Sequence, residues 1–291
     1  MPTLKLEAVM ANYGENEAQG KFWNDAPGQS WVKHDIVMNL RLGNISDILF
    51  DRLKGVSASN ALDIGCGTGS TSIKMAETLA QGARVTGIDI SEPMLERARE
   101  KAADLENVSF VTADAQAFQF EPGKFDAAIS RFGVMFFENP PKAFANLRSA
   151  MKPGSQFTFV CWAPYEENEF FSLPLKTVLE FVPSEYELVA NAPGPLAFSD
   201  KDYLSGILQS SGFSNSNIEV VKTSVDTADT PEEDATLLMQ ISFGARAVRE
   251  AELDQRRTDE LYQLFLANSK ARQSDGIIKY AATDYIVTAT A

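Results

Sequence analysis

The stretch Ala61-Leu-Asp-Ile-Gly-Cys-Gly-Thr-Gly-Ser70 constrains the fold more than any other part of this chain. An apolar run ends at Asp63, passes Gly65, Gly67 and Gly69, and enters the helical pattern Ser70-Thr-Ser-Ile-Lys-Met-Ala-Glu-Thr-Leu-Ala80. A buried strand, a tight glycine loop and a helix N-terminus form the first unit of a nucleotide-binding α/β sheet. Glycine is required where backbone approaches a ligand more closely than a Cβ allows. The dinucleotide fingerprint G-x-G-x-x-G would put its third small residue at position 70, which is Ser70; the third glycine comes one place early. A D-x-G-x-G-x-G loop is less suited to holding a pyrophosphate on the helix dipole.

Two further strands support the loop. Arg84-Val-Thr-Gly-Ile-Asp-Ile90 and Val108-Ser-Phe-Val-Thr-Ala-Asp114 each carry an aspartate at the carboxyl end. Right-handed crossovers bring those ends to one edge of the sheet, where ligands bind. Asp63, Asp89 and Asp114 therefore gather around one crevice. Any one of them alone reads equally well as a helix cap or a surface residue, but three behind a glycine loop do not.

The loop is similar to the first motif of class I S-adenosylmethionine-dependent methyltransferases. Ser130-Arg-Phe-Gly-Val-Met-Phe-Phe137, Ala143-Phe-Ala-Asn-Leu-Arg148 and Pro193-Gly-Pro-Leu-Ala-Phe-Ser199 resemble the small-molecule members related to the ubiquinone and menaquinone enzymes. The resemblance is specific from Ala61 to Trp162 and weak at both ends. It implies a Rossmann-like doubly wound sheet of seven strands, mostly parallel with the last antiparallel, and S-adenosyl-L-methionine as cofactor. It also implies a methyl transfer by in-line displacement. On this reading Gly65, Gly67, Gly69, Ile90, Met94 and the Ser130 backbone admit and orient the donor. Asp63 suits its ammonium and sulfonium side, Asp89 its ribose hydroxyls, and Asp114 with the Ala115 backbone its adenine. A nicotinamide oxidoreductase, for which Asp89 would also suit, and a non-catalytic cofactor sensor are the alternatives.

Around this sheet the patterning predicts a helical N-terminal cap over residues 1–54, with two amphipathic stretches broken at Ala26-Pro-Gly28 and Ser30 as a cap of the second. Residues 55–291 form the catalytic domain, with additions at about 163–198 and 230–274. The first addition, rich in phenylalanine, is expected to be a substrate lid; for the second, lid and core padding are both open. Ser91, Asn139 and the box Thr230-Pro-Glu-Glu233 read as helix N-caps. Asn139-Pro-Pro-Lys142 is similar to the N-P-P-Y motif of amino-methyltransferases. It lies beyond the fourth strand's end and lacks the aromatic, so the cap reading is preferred.

Acceptor-facing candidates are Trp31, Arg131, Phe132, Trp162 and Tyr165, although each aromatic also suits the core. His34 is the sole histidine and a candidate general base; a solvated helix histidine is the plainer reading. With 26 basic and 40 acidic residues the net charge is −14, which disfavours nucleic acid and anionic membrane surfaces as partners. A small-molecule acceptor, largely apolar or aromatic, is expected instead. Cys66 and Cys161 offer neither a disulfide framework nor metal spacing. No apolar signal core or membrane-length run appears, so a cytoplasmic location is expected.

Overall fold

A computed structural model describes residues 16–79, 82–182, 189–245, 248 and 252–291. The sheet order is β3-β2-β1-β4-β5-β8-β6, with the two-residue β7 pairing β8 at one end. β1 (Asn60–Ile64), β2 (Arg84–Asp89), β3 (Val108–Thr112), β4 (Phe125–Arg131) and β5 (Met151–Trp162) are mutually parallel. β8 (Ile277–Thr290) runs antiparallel between β5 and β6 (Ser214–Thr227). The seven-stranded expectation holds for the main sheet, and β7 (Gln273–Ser274) makes the eighth. The chain moves outward from β1 through β2 to β3, then returns to β4 on β1's other flank. The strand order reverses between β1 and β4, the switch point beyond whose carboxyl ends open α/β sheets bind their ligands.

The residues around each helix explain its limits. α5 (Ser70–Thr78) starts from Gly69. α6 (Glu92–Lys101) is capped by Ser91, whose hydroxyl accepts from Met94 N–H, and has Pro93 in its first turn. α7 (Pro140–Ala150) is capped by Asn139 accepting from Lys142 N–H at 3.2 Å. This is the structural role preferred over a substrate-binding motif. Phe144 on α7 is fully buried and meets the rings of Phe137, Phe157, Phe159, Phe198 and Phe213. That cluster fastens α7 and α9 (Lys201–Ser210) to one face of the sheet. The cap of α9 is Asp200, whose side chain accepts from the Asp202 and Tyr203 N–H groups.

The described part of the N-terminal cap is a chain of four short helices: α1 (Glu17–Asn24), α2 (Ala26–Lys33), α3 (Asp35–Arg41) and α4 (Gly43–Asp51). Ser30 lies inside α2 and caps nothing, because Pro27 restarts the helix right after Asp25. Residues 1–15 of the expected cap lie outside the described residues. The expected lid is α8 (Glu169–Phe181), preceded by a short turn at Tyr165–Glu167. The second addition holds α10 (Pro231–Ile241), with the reciprocal Thr230–Glu233 capping box, and α11 (Gln255–Arg272). Among the described residues no helix is long and apolar enough to cross a membrane.

The cap and the second addition meet through buried charge. Arg41, at the end of α3, has no exposed surface and pairs with Asp229 and Asp234 at 2.7 Å each. Asp234 also accepts from Ser269 on α11 and from the Tyr280 phenol on β8. Burial and the Asp234 charge push that phenol well above its usual range. Removing one partner of such a cluster leaves an unpaired buried charge, which costs about 3–5 kcal/mol. Arg41→Ala is therefore expected to lower unfolding stability by about that much, measured by urea denaturation. A loss below about 1 kcal/mol, the value of an exposed pair, would show that the cluster does not hold the two parts together.

Candidate functional site

The glycine loop between β1 and α5 adopts left-handed backbone at Gly65, Gly67 and Gly69, with φ of 63°, 54° and 78°. A Cβ on Gly65 would stand 2.6 Å from the Gly133 Cα, and one on Gly69 2.8 Å from the Ala98 Cβ. Those two glycines are fixed by protein packing. Gly67 is different, since its Cβ would meet only the Met94 methyl, at 3.4 Å. Around Gly67 the loop is open enough for a ligand.

The three aspartates lie at or just past the carboxyl ends of the adjacent strands β1, β2 and β3, and Asp89 touches the loop directly. Asp89 accepts Gly67 N–H through one oxygen and Ser91 N–H through the other, each at 2.8 Å. Burial raises its carboxyl pKa, and these backbone donors oppose the rise. Each oxygen keeps acceptor capacity for a hydroxyl. Asp114 accepts from Gln116 N–H at 2.9 Å and from the Asn16 side chain at 3.2 Å. Asp63 is fully buried, and one oxygen accepts from the Thr71 and Ser72 hydroxyls at 2.7 and 2.6 Å. Its other oxygen has no hydrogen-bond partner. Burial, only partly offset by the hydroxyls and by Arg131, pushes this carboxyl up to about 6. A buried acceptor without a donor beside a glycine cradle fits a ligand that brings an ammonium or sulfonium charge.

The β4 exit forms the opposite wall. The Ser130 hydroxyl donates to the Ile64 carbonyl at 2.7 Å and accepts from Gly133 and Val134 N–H. Phe132 takes a positive φ of 65° and stacks on Trp162, centroids 4.2 Å apart and planes 6° from parallel. Phe171 of α8 stands edge-on to Trp162 and itself stacks on Phe243 at 4.6 Å. The expected acceptor residues Phe132 and Trp162 thus share one aromatic column. Trp31 joins another, with Trp23 and Phe136. The Tyr165 hydroxyl donates to the Ser172 carbonyl, bracing the start of α8. Arg131 donates to Ser46 and Asn39, so its hydrogen bonds go to the cap. Burial lowers its pKa to about 10. His34 lies at the α2–α3 junction with Gln240 of α10 as a side-chain partner, and its buried Nε2 has none. Burial first, then Lys33 and Arg41, lowers its pKa, which favours the neutral imidazole.

Several site residues carried no signal in the sequence. Asn24 donates to the Ile90 carbonyl and accepts from Glu92 N–H, while the Ser91 hydroxyl donates to the Trp23 carbonyl. Thr68 of the glycine loop donates to the buried Asp35 carboxylate, which Lys101 and Arg97 also approach. With Asn16 on Asp114, these contacts lay the cap across the strand ends that carry Asp89 and Asp114. They join residues at least 33 positions apart, beyond the reach of any local pattern.

The state of Asp63 leads to a sign-defined expectation. A cationic ligand group favours the ionised carboxylate, so affinity is full above about pH 6 and falls as pH drops through that value. S-adenosylhomocysteine, which carries the ammonium, is expected to bind several-fold more weakly at pH 5 than at pH 7.5 by calorimetry. In Asp63→Asn that pH dependence should vanish. An unchanged slope in the variant would remove Asp63 from ligand binding.

Comparison with known proteins agrees with this geometry. Residues 61–154 match the model of a methyltransferase domain. The demethylmenaquinone methyltransferase of Staphylococcus epidermidis is 30% identical over 167 residues, covering 54% of this chain and 68% of that protein. The Staphylococcus aureus enzyme of the same name gives the same identity and coverage. Among solved structures, phosphoethanolamine N-methyltransferase 2 of Haemonchus contortus, in complex with S-adenosylmethionine, superposes with a TM-score of 0.57 at 17% identity. That match covers 95% of this chain and 60% of the Haemonchus chain. A putative methyltransferase of Bacillus halodurans superposes at 0.54 and 17% identity, covering 84% and 97%. With its glycine cradle and strand-end carboxylates, the chain belongs to the class I S-adenosylmethionine-dependent methyltransferases, as a relative of the quinone methyltransferases.

Proposed function

We propose that this methyltransferase modifies a small, largely apolar or aromatic acceptor. The observation that carries this reading is the column Phe132–Trp162–Phe171–Phe243 at the carboxyl ends of β4 and β5. It adjoins the Ser130 wall of the cofactor crevice and is built of flat apolar faces, which suit a ring. The Staphylococcus relatives are named for demethylmenaquinone, an acceptor of quinone type. The net charge of −14 also favours a small acceptor over nucleic acid.

On this reading the backbone at Gly65, Gly67 and Gly69, with Ile90, Met94 and Ala115, encloses the cofactor. Asp89 holds its ribose, Asp114 its adenine and Asp63 its amino end, while Ser130 fixes the wall beside it. S-adenosylmethionine, when bound, supplies a methyl group already electrophilic on its sulfonium. The protein therefore contributes mainly positioning and the exclusion of water. The N-terminal helices and α8 supply that exclusion, and they must open for exchange. His34 is assigned to the joint between the cap and α10, through Gln240.

Trp162→Ala is expected to lower kcat/KM for a 1,4-naphthohydroquinone acceptor at least tenfold, about 1.4 kcal/mol. Calorimetric affinity for S-adenosylhomocysteine should stay within about twofold (under 0.5 kcal/mol). Equal losses in both would place Trp162 in the scaffold. Methyl incorporation into duplex DNA or transfer RNA at matching rates would overturn the small-acceptor reading. His34→Ala is expected to leave turnover at neutral pH unchanged; a large loss rescued by raising the pH would instead make it the general base.

A further inference from the structure

Asp284 stands apart from the other described carboxyls in having no partner for its charge or its hydrogen bonds. It lies within β8 with no exposed surface. Among the described residues it alone has both carboxylate oxygens buried without a hydrogen-bond partner. Burial pushes it up to about 8. The other buried aspartates all have work: Asp63 braces α5, Asp35 holds Thr68, and Asp234 pairs with Arg41. A buried polar group left unsatisfied costs free energy and calls for a reason.

Its position suggests one. Asp284 pairs in register with Trp162 across the antiparallel β5–β8 ladder. Directly paired residues project from the same face of a sheet. The carboxyl therefore emerges beside the ring that stacks on Phe132 and meets Phe171. The local backbone is pinned, since Asn168 at the start of α8 both donates to and accepts from the backbone of Thr283 at 3.1 Å. Phe171 and Phe243 belong to the additions and not to the sheet.

We propose that Asp284 is the group that reads the acceptor: it receives a phenolic or enolic hydroxyl of a ring lying in the Trp162 column and takes its proton. This rests on the aromatic-acceptor reading above. In the step, the acceptor O–H bond breaks and a carboxyl O–H bond forms. The bonding pair stays on the acceptor as its nucleophile, and the proton leaves to solvent when the lid opens. A carboxyl held near 8 is a far better match for a phenol, at about 10, than an ordinary carboxylate near 4. The apolar surroundings that make Asp284 costly also make it basic enough for the task.

The test uses the full-length protein with S-adenosylhomocysteine bound, and 2-naphthol and naphthalene as probes whose affinities are read by NMR titration. Wild type is expected to prefer 2-naphthol at least tenfold, and Asp284→Leu to abolish that preference. Asp284→Asn is expected to lower turnover of 1,4-naphthohydroquinone at least 100-fold. Neither variant should change S-adenosylhomocysteine affinity more than twofold or lower Tm, because each removes an unsatisfied buried acid. Wild-type-like preference in Asp284→Leu or turnover in Asp284→Asn would overturn the assignment alone and leave the aromatic-acceptor reading intact. A fall in Tm in both variants would mark a structural carboxyl and overturn it as well. Failure of wild type to bind either probe would overturn the aromatic-acceptor reading and this inference with it.

Discussion

The exits of β1 and β4 approach each other backbone to backbone, and the cofactor crevice depends on that approach. A side chain on either Gly65 or Gly133 would drive into the other's Cα, and a Cβ on Gly133 would also stand 2.6 Å from the Ile64 carbonyl. Ser130 closes the contact by giving its hydroxyl proton to that same carbonyl. Two parallel strands pair at a fixed spacing, but their continuing loops are free to splay apart. Glycine on both sides removes the bulk that would force them apart. The order reverses between these strands, so the tight contact forms the floor of the one place where an open α/β sheet leaves room for a ligand.

Above that floor the site is made largely by the N-terminal helices. α1 to α4 are too short to be stable alone, and their order comes from what they touch. Asn24 satisfies both a carbonyl and an amide at the start of α6. Asp35 gathers Thr68, Lys101 and Arg97, so the cap and the glycine loop share one buried anion. Arg131 and Arg41 extend the same logic to Asn39, Ser46, Asp229 and Asp234. Buried polar networks of this kind contribute little net stability but strongly penalise partial assembly. Helices joined in this way lose several buried partners at once if they leave their seat.

The aromatic side of the crevice follows a different rule. Phe132, Trp162, Phe171 and Phe243 offer faces and edges and few directional partners. Such a wall accommodates a ring without fixing its orientation, so orientation needs a polar group within reach. The unsatisfied carboxyl of Asp284 beside Trp162 has the chemistry for that. A buried carboxyl left without a partner costs stability locally, a cost that the proposed acceptor hydroxyl would relieve.

The sequence by itself determined the parts of the molecule in which function is written in local backbone. The D-x-G-x-G-x-G run demands a left-handed loop wherever it is placed, and Gly65, Gly67 and Gly69 adopt one. The apolar runs leading to Asp89 and Asp114 form strands, the first largely buried and the second a half-exposed sheet edge, and Ser91, Asn139 and Thr230 cap their helices because their side chains reach only the next turn. Tertiary structure decided what depends on distant partners. Ser30 looked like a cap but sits inside α2, since Pro27 had already opened that helix. Arg131 stood at a strand end facing the crevice, yet its guanidinium turned to Asn39 and Ser46, more than 80 residues away. Asp284 carried no signal in the sequence. Only the antiparallel insertion of β8 against β5 put it next to Trp162, with no donor on it among the described residues. Local patterns encode which backbone shapes are allowed, whereas the partner of a buried polar side chain is set by which strands become neighbours.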